Sequence, residues 1–350
     1  MDGFLQGALI ARGPVALLPV LLFLGALVYL DSFKLVSARL VAGALVAGAL
    51  AACLSYPVNS AVADHVTIGF HAYSRYVSPW IEESLKAAAL VYLIRSRRIG
   101  LLVDGAIVGF AIGTGFALIE NIYYIASRPD APFAVQVIRG FGTAIMHGGA
   151  TAMFAVVSVA LFERRPDGWL AVFLPGLLAA ATLHSGYNHL LFRPVFATLI
   201  TLLALPGIIY FVFQRSEYSL REWLESDLDS DMQLLESIHA GEFPDTNAGT
   251  YLNSLKERFR GEVVADMLCY VRLHVELALR AKGILLLRES GIEAPPLDEE
   301  TRSKLVELEF LEKSIGPTGQ LALRPLLVAT GKDLWQLSVL EASEGPSSQR

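Results

Sequence analysis

Ionisable and amide side chains interrupt four strongly apolar stretches of the sequence. The first stretch opens with Glu82 and Glu83, and Lys86 follows on the same helical face as Glu82. The other three stretches carry, in chain order, Glu120 with Asn121, then His147, then His184 with Asn188. Two adjacent carboxylates, a third glutamate, two histidines and an amide supply a general base, candidate metal ligands and an oxyanion donor.

No nucleophile motif accompanies these groups. The sequence contains no Gly-x-Ser-x-Gly elbow, Cys-x-x-Cys pair, His-Glu-x-x-His helix or phosphate-binding loop. A hydrolysis in which a side chain activates water therefore fits this set of groups better than covalent catalysis does.

The elements that position these groups are predicted to be membrane-spanning helices. The chain has 350 residues, of which 54% are hydrophobic and 18% charged, and its mean hydropathy of +0.49 is above that of ordinary soluble domains. Because backbone amides that face lipid must be satisfied within their own segment, only helices are plausible spans. Apolar runs long enough to cross a bilayer predict seven, near 14–30, 37–55, 79–95, 101–126, 134–162, 169–192 and 194–213.

Basic residues predict the orientation of these spans. With seven spans, four basic clusters fall on the same face of the membrane, and this face is the cytoplasmic one by the positive-inside rule. The clusters are Lys34 with Arg39, then Arg95, Arg97 and Arg98, then Arg164 with Arg165, then Arg215. The sequence thus predicts a multi-pass protein of the cell membrane with its N-terminus outside and its C-terminal region in the cytoplasm.

This orientation brings the four polar motifs to one depth. An ionisable side chain in a bilayer costs at least about 2.5–3.5 kcal/mol, so each one needs a partner, a water-filled cavity or a function. Taken separately, a glutamate pair at a helix start and a His-x-x-x-Asn stripe are commonly explained by helix pairing and packing. All four motifs, however, are predicted to lie in the outer half of the membrane, which favours a shared site.

Three glycines of the predicted fourth span recur at four-residue spacing. Gly105, Gly109 and Gly113 leave a smooth helix face that a neighbouring backbone can approach closely. We interpret this face as a packing feature and assign no chemistry to it.

The ordered motifs resemble those of the PrsW-type intramembrane proteases. They read Glu82-Glu83-x-x-Lys86, Phe116-x-x-x-Glu120-Asn121, the single His147 and His184-x-x-x-Asn188. The related type 2 CAAX prenyl endopeptidases have a histidine where this chain has Glu120, which favours the PrsW branch. The resemblance covers about residues 75–192 and does not extend to the C-terminal region.

The resemblance implies an activity and roles for the residues. PrsW proteins are bacterial membrane proteases that cleave a membrane-anchored anti-sigma factor on its external side. In this chain Glu82 or Glu83 would be the base that activates water, and Asn188 would stabilise the oxyanion. His147 and His184 would bind a metal or polarise the scissile carbonyl, and Glu120 would support them or act as a ligand.

Two mechanisms stay open at this point. The two histidines with Glu120 would satisfy zinc. Equally, the glutamate pair could act with the histidines and no ion, and Lys86 would then keep one carboxylate ionised. Asn121 is assigned a supporting role beside Glu120.

The region after Gln214 has a different composition. It carries 15 Lys and Arg against 24 Asp and Glu, whereas the preceding part carries 13 against 10. An acidic balance argues against nucleic-acid binding and against docking on anionic lipid. We predict a membrane domain over 1–213 and a soluble, cytoplasmic all-α domain over 214–350, with helix breaks at Gly241–Pro244, Gly291–Pro296 and Gly316–Gly319 and a disordered end. Regulation, oligomerisation or docking of a cytoplasmic protein are its candidate roles.

Two other readings compete with the protease. In an ion- or proton-coupled transporter the same buried charges would form a relay across the membrane. Such a relay needs polar groups along the whole path, whereas here they cluster at one depth, and no inverted repeat is evident. An inactive scaffold that signals through its C-terminal region is the third reading.

Overall fold

The computed structural model describes residues 2–31, 35–164, 168–190, 193–292, 294–327 and 331–342. Every regular element within these ranges is helical, so the predicted all-α class is confirmed. The chain divides into two compact units, Met1–Ser216 and Glu217–Arg350. Three predicted features fall outside the described residues: Lys34, Arg165 and the disordered end beyond residue 342.

The first unit is a bundle of helices that are mostly long and apolar. Its helices are α1 (Asp2–Leu30), α2 (Ala38–Ala63), α3 (Phe70–Tyr76), α4 (Ser78–Arg95), α5 (Leu102–Ser127), α6 (Phe133–Ile138), α7 (Ala144–Arg164), α8 (Trp169–Leu190) and, as far as Ser216, α9 (Pro194–His239), and a π-helical turn at Arg139–Thr143 joins α6 to α7. Six segments of the described chain are long and apolar enough to cross a membrane: α1, α2, α5, the continuous segment Phe133–Arg164, α8 and α9. The predicted polytopic bundle is thereby confirmed.

Helix α4 corresponds to the third predicted span and is absent from these six. Its 18 residues are long enough for about 27 Å at 1.5 Å per residue, but they include four charged side chains. Two of the four, Glu83 and Lys86, are buried inside the bundle, so they face protein rather than lipid. The count of seven spans, and the orientation derived from it, depends on this helix and stays a prediction.

Helix α5 lies at the centre of the first unit. Phe110, Ala111 and Ile112 are all fully buried, so three successive side chains pointing in different directions meet protein. The predicted glycine face packs on α7, because a β-carbon at Gly113 would collide with the His147 carbonyl and one at Gly109 would lie 2.8 Å from the Thr151 carbonyl oxygen. The packing role predicted for these glycines is confirmed.

Helix α9 continues well beyond the predicted end of the seventh span. The predicted span ends near residue 213, yet the helix runs on to His239. No glycine or proline occurs between Gly207 and Gly241, so nothing in the sequence breaks the helix where its composition turns acidic.

The second unit continues from this helix. It contains α10 (Asn247–Ser254), α11 (Gly261–Glu289), α12 (Glu299–Leu327) and α13 (Gly331–Ala342). The chain turns at Gly241 and Gly291, and α12 kinks at Gly316; all three glycines have a positive φ of 67–76°, and all three lie at predicted breaks. An apolar core forms around Phe243, Met267, Val271 and Ile315, among other residues.

Candidate active site

Six of the predicted site residues meet in one cluster. They come from the first turns of α4, the C-terminal half of α5, the start of α7 and the C-terminal half of α8. The six are Glu82, Glu83, Lys86, Glu120, His147 and His184. Helix packing thus brings together groups that are up to 102 residues apart in the sequence.

Glu83 is the most enclosed carboxylate of the cluster. Its Oε1 accepts a hydrogen bond from Lys86 Nζ at 2.6 Å and lies 2.8 Å from His184 Nδ1. Its Oε2 lies 3.4 Å from Thr151 Oγ1, whose single proton has a closer acceptor in the His147 carbonyl at 2.9 Å. Because an ionised carboxylate only accepts, His184 carries its proton on Nδ1 and presents the lone pair on Nε2.

Lys86 connects this pair to the second histidine. The side chain is fully buried, and its Nζ lies 3.2 Å from His147 Nδ1 and 4.5 Å from the centre of the Phe116 ring. An ammonium group only donates, so Nδ1 accepts and Nε2 carries the proton of His147. The buried cation thus contacts a carboxylate, an imidazole and an aromatic ring inside the bundle.

Glu120 holds the other nitrogen of His147. Its Oε2 lies 3.1 Å from His147 Nε2 and also 3.1 Å from Arg139 Nη2. The guanidinium donates through Nε to Asn121 Oδ1 at 2.9 Å, and Asn121 Nδ2 donates to the Ala16 carbonyl of α1 at 2.8 Å. Asn121 therefore supports Glu120 indirectly, through Arg139.

Arg139 was missed by the sequence analysis. It lies inside the predicted span 134–162, and the rule that an ionisable group within a span needs a partner or a function applies to it as it does to Glu120. The position of an arginine within a predicted span therefore already marked Arg139 as a candidate.

Glu82 has one oxygen engaged and one that faces the cluster. Its Oε1 accepts a hydrogen bond from Ser78 Oγ at 2.6 Å. Its Oε2 lies 3.9 Å from His184 Nε2, too far for a direct hydrogen bond. Glu82 and the lone pair of His184 therefore face each other across a gap.

Glu82, His147 and His184 could hold a metal ion. They offer one ligand atom each, and these atoms lie within 4.8 Å of one another. Two imidazoles and a carboxylate are a ligand set that suits zinc and leaves a coordination position open. The sequence analysis named Glu120 as the third ligand, whereas the geometry places Glu82 in this group and Glu120 behind His147.

Two further contacts bear on this fit. Each imidazole is hydrogen-bonded by a carboxylate at its other nitrogen, Glu83 for His184 and Glu120 for His147, an arrangement that orients histidine ligands in metal sites. The nitrogen of His147 that Glu120 does not hold, Nδ1, lies 3.2 Å from the Lys86 ammonium, so an ion held there would have to displace the ammonium.

Asn188 points away from the cluster. Its Nδ2 donates to the Ser74 carbonyl of α3 at 2.8 Å, and the neighbouring Ser185 Oγ donates to the Arg75 carbonyl at 2.6 Å. These bonds fasten α3 to α8. The oxyanion role of Asn188 stays a prediction.

Comparison with known proteins identifies a family. A family model described as PrsW family intramembrane metalloprotease matches residues 32–214, just over half of the chain, and this range includes every site residue named above. Comparisons with curated proteins and with solved structures gave no match. The matched range contains the four motifs in order, and the chain belongs to the PrsW family of intramembrane metalloproteases.

Proposed function

We propose that this protein is an intramembrane endopeptidase that hydrolyses a peptide bond of a membrane-anchored protein near the outer side of the membrane, with an anti-sigma factor as substrate. Family membership supports the peptidase activity. The observation that carries the assignment of the site is the approach of Glu82, His147 and His184, whose ligand atoms lie within 4.8 Å of one another. The anti-sigma substrate rests on the resemblance of the motifs to those of PrsW proteins.

The two histidines and Glu82 would hold the metal that the family name implies. A zinc ion held there would polarise the scissile carbonyl and lower the pKa of a bound water. Side chains of the protein itself orient the two histidines and balance the buried charges.

The buried carboxylates orient the two histidines. Glu83 keeps the proton of His184 on Nδ1, so Nε2 faces the gap beside Glu82. Glu120 keeps the proton of His147 on Nε2. The Lys86 ammonium neutralises Glu83, so the pair adds no net charge to a low-dielectric site.

Glu82 is the better candidate base of the adjacent pair if hydrolysis proceeds without a metal. Glu83 is buried, its Oε1 is engaged by both Lys86 and His184, and its Oε2 lies beside Thr151 Oγ1. Glu82 keeps one oxygen facing the gap, where a water could lie between it and His184. The two mechanisms therefore assign Glu82 different tasks, ligand or base, and make different predictions for chelators.

The placement near the outer side rests on the charged helix ends. Site residues lie in the first turns of α4 and at the start of α7, whereas Arg95 and Arg164 occupy the last turns of the same helices. By the positive-inside rule the arginine ends face the cytoplasm, so the site faces outward. The second unit would then lie in the cytoplasm, and binding of a cytoplasmic protein there stays a prediction.

The test is cleavage of single-span membrane proteins, including anti-sigma factors, by purified full-length protein in liposomes. Wild type is compared with Glu82→Gln and His184→Ala, each with and without a chelator. We expect wild type to cleave and both variants to lose activity, and loss of wild-type activity in chelator, restored by zinc, would support the metal mechanism. Variants as active as wild type would disprove the site, and a wild type that cleaves no substrate but moves ions or protons across the liposome would favour the transporter.

A further inference from the structure

We propose that Arg139 is a positioning residue that holds Glu120 against His147, and this inference rests on the proposed function. Arg139 belongs to none of the four motifs. It acts through Glu120 and reaches neither Glu82 nor His184 by any contact found among the described residues.

Arg139 is fixed by three groups at once. Its Nη2 lies 3.1 Å from Glu120 Oε2, its Nε donates to Asn121 Oδ1 at 2.9 Å, and its guanidinium lies 4.3 Å from the centre of the Tyr124 ring. A planar guanidinium can form an ion pair, donate a directed hydrogen bond and stack on an aromatic ring at the same time, which an ammonium cannot. Asn121 in turn is anchored on α1 through the Ala16 carbonyl.

Glu120 needs such a constraint more than Glu83 does. Glu83 is buried and lies within hydrogen-bonding distance of side chains on α4, α7 and α8. The Glu120 side chain is 37% exposed, and its contacts with His147 and Arg139 use the same oxygen, Oε2. Without the guanidinium, rotation of the carboxylate away from His147 would cost only one hydrogen bond.

The π-helical turn brings Arg139 to the correct face. Arg139 begins the turn, and the Ala144 amide donates to its carbonyl, five residues back. A π turn absorbs one extra residue, so the eight-residue separation between Arg139 and His147 acts like about seven residues, or two turns, of an α-helix. Both side chains therefore meet the same oxygen of Glu120, which a regular helix would not arrange.

The consequence for His147 is a defined protonation pattern. While Glu120 accepts from Nε2, the lone pair lies on Nδ1, the nitrogen that would face a bound cation. Loss of Arg139 would free Glu120 and leave His147 Nε2 without its acceptor, and loss of such outer partners weakens metal binding about 10–100-fold.

The experiment compares full-length wild type, Arg139→Gln, Arg139→Lys and Arg128→Gln in detergent. Arg128 is the matched control, because it is exposed and lies 5.7 Å from the same Tyr124 ring. Two quantities are measured: Co²⁺ affinity by the visible absorption of the bound ion, and kcat and KM for a substrate that wild type cleaves.

We expect Arg139→Gln to weaken Co²⁺ binding about tenfold or more and to lower kcat, with KM changed less than about twofold. Arg139→Lys should recover part of both losses, since it restores the charge but neither the hydrogen bond to Asn121 nor the stacking on Tyr124. Arg128→Gln should behave as wild type. Co²⁺ affinity and kcat of Arg139→Gln equal to those of wild type would overturn the proposal.

A double-mutant comparison distinguishes an effect of Arg139 on Glu120 from simple misfolding of the variant. If Arg139 acts through Glu120, then Glu120→Gln with Arg139→Gln should be no worse than Glu120→Gln alone. Additive losses would show that Arg139 supports the fold rather than Glu120, and would overturn the proposal. A wild type that neither cleaves nor binds Co²⁺ would refute the proposed function, and the inference would fall with it.

Discussion

Glu83 Oε1 lies 2.8 Å from His184 Nδ1 and joins α4 to α8 across 101 residues of sequence. The same oxygen accepts from the fully buried Lys86 at 2.6 Å. One carboxylate oxygen therefore both orients an imidazole and neutralises a cation inside the bundle, and its removal should affect stability and activity together.

We expect Glu83→Ala to lower the free energy of unfolding by about 3–5 kcal/mol, because it leaves the Lys86 ammonium buried without its anion. Cleavage should also be lost. Unfolding in detergent, followed by circular dichroism, measures the first effect. The control is Glu83→Gln with Lys86→Met, which removes both charges and should recover most of the stability but none of the activity; an unchanged stability of Glu83→Ala would contradict the buried pairing.

The two possible ligand sets predict different effects on metal binding. If Glu82 is the ligand, Glu82→Gln should reduce zinc affinity more than Glu120→Gln does, and Glu120→Gln should cost about 10–100-fold as an outer partner of His147. Competition with a chromogenic chelator measures both affinities. A larger loss of zinc affinity in Glu120→Gln than in Glu82→Gln would instead support Glu120 as the third ligand, as expected from the sequence.

Close packing between α5 and α7 should be as necessary for cleavage as the polar groups of the site are. Gly113→Ala would place a β-carbon against the His147 carbonyl, and overpacking of this kind costs about 1–3 kcal/mol. We expect lower stability and a strong loss of cleavage, because α7 carries His147. Gly43→Ala on α2 is the control, since nothing lies within 4 Å of its β-carbon position; equal behaviour of the two variants would show that the glycine face does not position the site.

A second buried lysine should stabilise the C-terminal unit. Lys282 is fully buried on α11, and its Nζ lies 2.6 Å from both Asp227 and Asp231 of α9. We expect Lys282→Ala to lower the free energy of unfolding by about 1.5–3 kcal/mol, because it removes hydrogen bonds to two charged groups. Limited proteolysis of the full-length protein during a temperature ramp measures the stability of this unit.

The matched control for this prediction is Lys313→Ala. Lys313 makes an exposed pair with Glu309 on α12, and exposed pairs contribute little to stability. Equal protease resistance of Lys282→Ala and Lys313→Ala would contradict a stabilising role for the buried lysine.

Much of the fold follows from local properties of the sequence. Hydropathy and the cost of exposing backbone amides to lipid act segment by segment, so the apolar helices and their approximate ends were predictable. The end of α9 agrees with the first predicted break, at Gly241, whereas the change of composition near residue 213 does not interrupt the helix.

The members of the candidate site were also largely predictable, since an ionisable group within an apolar helix is costly enough to be noticed in a single sequence. Arg139 satisfied the same criterion and was missed, because no motif pointed to it. The catalytic roles assigned to the site residues stay predictions.

The partners of these side chains were decided by the tertiary structure alone. The sequence could not tell that Glu82 rather than Glu120 lies beside both histidines, that one oxygen of Glu83 contacts both Lys86 and His184, or that Asn188 bonds α3. These pairings depend on the relative rotation and depth of packed helices, to within about an ångström. They involve the close glycine contacts between α5 and α7 and the π turn before α7, whereas hydropathy and motif spacing describe each helix by itself.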